Sequence, residues 1–210
     1  MFRILAIGIE TFSGILVVFF VLALFQILIE KNKVSIGHKI VTFIYTFFVV
    51  AIFAATGVPS FNSLHFDATI NYVPFYDVVG NFIQYLLNLI LFVPFGFLLP
   101  ALWTKYQTSK RTIFTGFGLS LLIEISQLFC YRTTDVDDLI MNTLGTSLGF
   151  MLFKIFSKKK PELIKEICLT EDVSNDRIIK FEETILFVII ILVMFFIQPA
   201  IASKIWSIIL

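Results

Sequence analysis

Charge is scarce in this chain: Asp, Glu, Lys and Arg make up 15% of its residues, against a hydrophobic share of 58%. A soluble domain carries about a quarter charged residues to cover its surface, so a soluble fold is excluded. Cysteine is nearly absent. Cys130 and Cys168 are too few for a disulfide framework, and both read as unpaired thiols in apolar surroundings. The two histidines, His38 and His65, have no metal-ligand spacing. No Ser/His/Asp set, no G-x-S-x-G and no phosphate-binding glycine loop is present. Asp135, Asp137 and Asp138 crowd one short link, a weak signal for a divalent cation, and no metal or cofactor is assigned. A net charge of +1 gives no reason to expect a nucleic-acid partner.

What the chain does have is long apolar runs. A helix needs about 20 mostly apolar residues to cross the hydrocarbon core. Six segments qualify: Phe12 to Ile29, Ile40 to Val58, Phe82 to Trp103, Ile113 to Cys130, Leu139 to Phe156, and Ile185 to Leu210 with Pro199 interrupting the last. The runs are continuous rather than alternating, which excludes a membrane barrel. The expected fold is all-α, a polytopic bundle of about six transmembrane helices. The first run is bracketed by Glu10 and Glu30 and no A-x-A-like site follows it, so it reads as a retained anchor rather than a cleaved signal peptide.

Lys and Arg in the short connections set the orientation. Thirteen of them fall on one side, in the links after the first, third and fifth helices; Arg3, Arg132 and Lys204 fall on the other. The richer side is expected to be cytoplasmic, with both termini external, and the two cysteines then lie on opposite sides. Four parts follow: residues 1–70 with two helices and the start of an external loop, a core of three helices over 71–156, a cytoplasmic linker over 157–183, and a last helix over 184–210. In the linker, Leu163, Ile164, Ile167 and Cys168 fall at helical spacing. That pattern fits a surface-bound amphipathic helix or a solvated link drawn to anionic lipid by Lys158 to Lys160.

Polar side chains inside a membrane are costly and face the bundle interior, so they mark function. In the fourth helix Ser120, Glu124, Gln127 and Tyr131 share one stripe, and in the fifth Asp138, Asn142, Gly145 and Gly149 do the same. Asn81 and Asn88 lie on one face of the third. At 1.5 Å per residue, Asn88 lies about 9 Å below the external end of its helix and Glu124 about 10 Å below Tyr131. Hairpin connectivity thus brings Asn88, Glu124, Gln127, Asp138 and Asn142 to the same outer third, closed by the link carrying Arg132 and Asp135. Gly145 and Gly149 form a G-x-x-x-G pair that lets a neighbouring helix approach closely. Pro94 leaves the Ile90 carbonyl without its helical partner and invites a kink. Plainer roles fit the same residues. Thr134 and Asp137 have the spacing of a helix N-cap, and the three amides suit interhelical hydrogen bonding.

These residues carry a resemblance. Asn88-Leu89-Ile90-Leu91-Phe92-Val93-Pro94-Phe95-Gly96, then Glu124-Ile125-Ser126-Gln127, Arg132, Asp135, Asp138, Asn142-Thr143-Leu144-Gly145 and Gly149 resemble the VanZ-like family of bacterial membrane proteins, with Asn71 to Phe75 similar to its shorter N-x-x-P-F element. The likeness runs from Asn71 to about Phe156; the first two helices match only in character, and the linker and last helix lie beyond the core. It implies a bacterial plasma-membrane location and an association with low-level resistance to teicoplanin-type glycopeptides. The expected function is an outer-leaflet polar pocket for an envelope lipid or lipid-linked group, with Arg132 meeting an anion and Asn88, Gln127 and Asn142 hydrogen-bonding it. Glu124 would accept a proton or pair with a cation, while Asp135 and Asp138 orient Arg132 or bind a cation. An intramembrane enzyme with Glu124 as general base, or a small transporter, are the alternatives.

Overall fold

The computed structural model describes residues 2–30, 34–57, 66, 70–71, 73–76, 80, 82–129, 134–169 and 177–209. Helix α1 (Phe2–Phe25) passes into a π-helical turn at Gln26–Glu30. Helix α2 (Ile36–Thr56) starts at Ser35, whose side chain caps the His38 N–H, and stops at Gly57, where φ is +80°. Helices α3 (Phe82–Leu102), α4 (Ser109–Gln127) and α5 (Val136–Lys159) follow, then two short ones, α6 (Pro161–Ile167) and α7 (Arg177–Lys180). Helix α8 (Glu182–Leu192) runs through a π turn at Val193–Ile197 into α9 (Gln198–Ile209). That widened turn stands directly before Pro199, which has no N–H to continue a regular ladder and a ring that crowds the preceding turn.

Five of these helical stretches are long and apolar enough to cross a membrane: Phe12–Glu30, Ile36–Thr56, Phe82–Leu102, Val136–Lys159 and Glu182–Ile201. The fourth predicted segment forms its helix too, as α4, and its 19 residues extend about 28 Å. Its apolarity is lower because Lys110 and Arg111 occupy its first turn and Ser120, Glu124 and Gln127 its buried face. The last span starts at Glu182 rather than at Ile185. Cys130, Tyr131, Arg132 and Asn81 lie outside the described residues, as does most of the predicted external loop.

Phe12, Leu16, Phe20 and Leu24 on α1, and Ile83, Leu87 and Ile90 on α3, point outward. Such apolar stripes suit lipid and not water. Inside, one core joins α1, α2, α3, α4 and α8 around Val18, Leu22, Val49, Phe53, Phe92 and Phe95. A smaller cluster of Ala101, Phe150, Phe153 and Ile164 fastens α6 against the end of the bundle. Ile167 is also buried in the main core, so Ile164 and Ile167 of α6 are turned onto protein while Leu163 stays exposed.

The α3–α5 contact is a seam of small residues. A Cβ built on Gly149 would stand 2.1 Å from the Val93 carbonyl oxygen, one on Gly145 2.2 Å from that of Leu89, and one on Gly96 2.1 Å from that of Thr146. No side chain fits at those distances, so the two backbones touch. The expected close approach at Gly145 and Gly149 is present, with α3 as the neighbour.

Candidate functional site

Continuous helix cannot bring the 70–76 region and the 134–138 region together; a two-residue parallel pairing does. Ile70 and Asn71 (β1) lie in register with Thr134 and Asp135 (β2), a short exception to the helical reading. Val136 then opens α5, and the cap is Asp135, whose side chain accepts the Asp137 N–H at 2.9 Å. The capping expectation for Thr134 and Asp137 is thereby corrected. Thr134 instead donates its hydroxyl to the Glu124 carbonyl at 3.2 Å. Asp137 turns inward, and its carboxylate receives the Phe75 N–H at 2.9 and 3.0 Å and the Tyr85 hydroxyl at 2.6 Å. Phe75 has φ +58°, a conformation that costs a non-glycine residue roughly 1–2 kcal/mol. The two hydrogen bonds to Asp137 and an edge-on contact with Tyr85 hold it there. Three carboxylates therefore gather at the positive end of the α5 dipole, where negative charge is favoured.

The predicted site residues divide between two settings. Asn88, Gln127 and Asp138 line a cleft of about 650 Å³ whose other walls are Ala55, Thr56, Ile83, Gln84, Leu87 and Leu91. Asn88 donates to Asp138 at 2.6 Å, and Gln84, one turn earlier on α3, donates to the same carboxylate at 3.3 Å. Gln127 donates to the Thr56 carbonyl at 2.9 Å, satisfying an acceptor that the end of α2 would otherwise leave open. The remaining predicted residues stand behind these. Glu124 accepts the Asp135 N–H at 3.0 Å, and Asp135 also receives the Asn71 amide at 3.3 Å. Asn142 donates to Ser120 at 2.9 Å across the α4–α5 contact. None of Glu124, Asp135 or Asn142 lines the cleft. Arg132 lies outside the described residues.

Sequence reasoning missed Gln84, Tyr85 and Thr56. Gln84 stands at i−4 and Tyr85 at i−3 from Asn88, so both share its face, and that spacing was the available signal. Nothing in the spacing announced that a carbonyl of α2 would need Gln127.

Apolar helices of spanning length, packed on a glycine seam and carrying a buried carboxylate and amide network at one end, define a polytopic integral membrane protein with a built polar site. The chain belongs to the VanZ/LLP1 family, whose model matches residues 39–157. It is 36% identical over 91 residues to Protein VanZ of Enterococcus faecium, an alignment covering 43% of this chain and 55% of that protein. The chain thus spans about half the length of this curated relative. No solved structure matches it.

Proposed function

We propose that the cleft between α2, α3, α4 and α5 binds the polar head of an envelope lipid or lipid-linked precursor, and that the protein acts through it in resistance to teicoplanin-type glycopeptides. The observation that carries this is the cleft's mixed lining. Asp138, Asn88, Gln84 and Gln127 supply polar groups, while Ala55, Ile83, Leu87 and Leu91 supply apolar walls. An amphiphile needs both in one place. Leu87 and Ile83 are also on the outward, lipid-facing side of α3, so an acyl chain has a continuous apolar path to the cleft. Asn88 and Gln84 hold Asp138 in one orientation. In this reading Arg132, two residues before Thr134, adds the cation for a phosphate or carboxylate head. The cleft faces the outer leaflet of the bacterial plasma membrane, with both termini external, as the distribution of Lys and Arg supports.

The enzyme reading needs the Glu124 carboxylate at the ligand. Its Oε2 is engaged by the Asp135 N–H, and the residue does not line the cleft, so binding is preferred. The test is lipid mass spectrometry of the protein extracted into native nanodiscs. Asn88→Leu and Arg132→Ala should each lose a lipid class that the unaltered protein and a Gly118→Ala control retain. Identical lipid profiles for all four would refute the reading.

A further inference from the structure

Hydrogen bonds already made in the cleft decide which polar atoms are left to meet a ligand. Asn88 Nδ2 donates to Asp138 Oδ1 at 2.6 Å, and Gln84 Nε2 donates to the two oxygens of the same carboxylate at 3.3 and 3.5 Å. Gln127 Nε2 donates to the Thr56 carbonyl oxygen at 2.9 Å. None of these amides can be turned round. A carboxylate and a backbone carbonyl only accept, so an amide that meets one must present its nitrogen and turn its oxygen away.

Those oxygens have a need that the protein does not meet. Among the described residues, no N–H or O–H is paired to the side-chain oxygen of Gln84, Asn88 or Gln127. All three side chains line the cleft. Gln127 is only 5% exposed, yet its oxygen is not among the enclosed atoms without a partner, so the opening it keeps is onto the cleft. Thr56 adds no donor, because its hydroxyl is spent on the Ile52 carbonyl at 2.8 Å. The other walls carry no polar side chain. Three amide oxygens offer about six lone pairs against roughly three amide hydrogens still uncommitted, and Asp138 adds acceptors only. The outward faces of Ile83 and Leu87 make the mouth apolar, and an acceptor in such surroundings is costly to leave unpaired.

Resting on the lipid-head reading, we propose that this cleft takes the hydrogen-bond-donating part of that head, a primary ammonium or the hydroxyls of a sugar, and not its phosphate. A phosphate placed here would set lone pairs against the amide oxygens and negative charge against Asp138. The contact proposed for Arg132 is complementary, since a zwitterionic or sugar-phosphate head carries an anion and donors together.

Phosphatidylethanolamine and phosphatidylcholine isolate the point, because with matched acyl chains they differ only in whether the head nitrogen carries hydrogens or methyl groups. The full chain in detergent is offered an equimolar mixture of these two, phosphatidic acid and a diglucosyl diacylglycerol, and native mass spectrometry reads which remain bound. Phosphatidylethanolamine, the glucosyl lipid or both should be retained about tenfold over phosphatidylcholine and phosphatidic acid, the worth of roughly one hydrogen bond. Which of the two is kept separates the ammonium source from the sugar. Gln84→Leu and Asn88→Leu should each cut that preference severalfold, while Gly118→Ala leaves it unchanged. Gln84 is exposed, so its variant should keep the melting temperature of the unaltered protein. Equal retention of all the probes, or a preference that survives in both leucine variants, would overturn this assignment and leave the lipid-head reading standing, which the nanodisc comparison tests separately. Retention of none would overturn both.

Discussion

Gly149 offers a direct test of how tightly the site depends on the α3–α5 seam. Its Cβ in an alanine variant would stand 2.1 Å from the Val93 carbonyl oxygen, 2.8 Å from the Phe97 nitrogen and 2.9 Å from the Gly96 carbonyl carbon. All three are backbone atoms, so no side chain can rotate away. An acceptable C···O approach is about 3.3 Å, which means that α3 must retreat by about 1.2 Å from the 2.1 Å position. A rigid displacement of that size would stretch the Asn88–Asp138 hydrogen bond from 2.6 Å to about 3.8 Å, past bonding range. Overpacking of this kind costs about 1–3 kcal/mol, offset by roughly 1 kcal/mol of helix propensity gained from glycine to alanine. Gly118 is the matched control: it lies in α4, and no atom of a neighbouring element stands within 4 Å of the point its methyl group would occupy. Gly118→Ala should gain roughly 0.5–1 kcal/mol. The two variants should thus differ by about 2 kcal/mol, on the order of 4–8 °C in Tm for a chain of this size. Thermal unfolding in one detergent, side by side, reads the difference. Equal melting temperatures would refute the claim that backbone contact along the seam holds the site together.

Three further outcomes follow from the same geometry. Tyr85→Phe removes the hydroxyl that donates to buried Asp137; it should cost about 1–3 kcal/mol in thermal unfolding, and no loss would mean that Phe75 alone satisfies the carboxylate. Glu124→Gln keeps an oxygen for the Asp135 N–H, so the variant should fold, as immunoblotting would check. Its glycopeptide susceptibility in a deletion background should match that of the unaltered protein, whereas a folded but inactive variant would restore the general-base reading. Cysteines introduced at Ser63 and Ser109, with Cys130 and Cys168 replaced by serine, should label from opposite faces of intact cells, Ser63 from outside. Labelling of both from one face would refute the proposed topology.

Much of the fold was legible because lipid allows so few backbone solutions. A continuous apolar run must satisfy its own N–H and C=O groups, and a helix does so locally. Asn88, Gln127 and Asp138 were legible on the same footing, since helical spacing alone sorts side chains onto faces. The partners of Asp137 were not. Tyr85 and the Phe75 backbone lie 52 and 62 residues away from it, and only the β1–β2 pairing brings the 70–76 segment over α5. The cap was misread by a single position, because Asp135 and Thr134 both precede α5 and both are residue types that cap. His38 and Glu182 are separated by 144 residues with no motif joining them, so their pairing is visible only once α2 and α8 are side by side.

The first turn of α5 links scaffold and cleft. Asp135, Asp137 and Asp138 are near neighbours in sequence, yet each answers to a different part of the molecule: Asp135 to β1 and its own helix, Asp137 to Phe75 and Tyr85, Asp138 to the cleft amides on α3. Glu124 ties the same turn back to α4 through the Asp135 N–H. A ligand that engages Asp138 therefore pulls on a carboxylate whose neighbours fix α3, α4 and the 70–76 segment together. Asp137 is fully buried while Asp138 remains partly open. That difference in burial assigns them different duties. A neutral amide at Asp137 would leave two donors facing a weaker acceptor inside the protein, a structural loss. The same change at Asp138 alters the charge presented to whatever enters the cleft while Asn88 and Gln84 keep an oxygen to bond. Binding and folding thus part company between two adjacent aspartates, and Asp138 is the one that lines the cleft of the lipid-binding proposal.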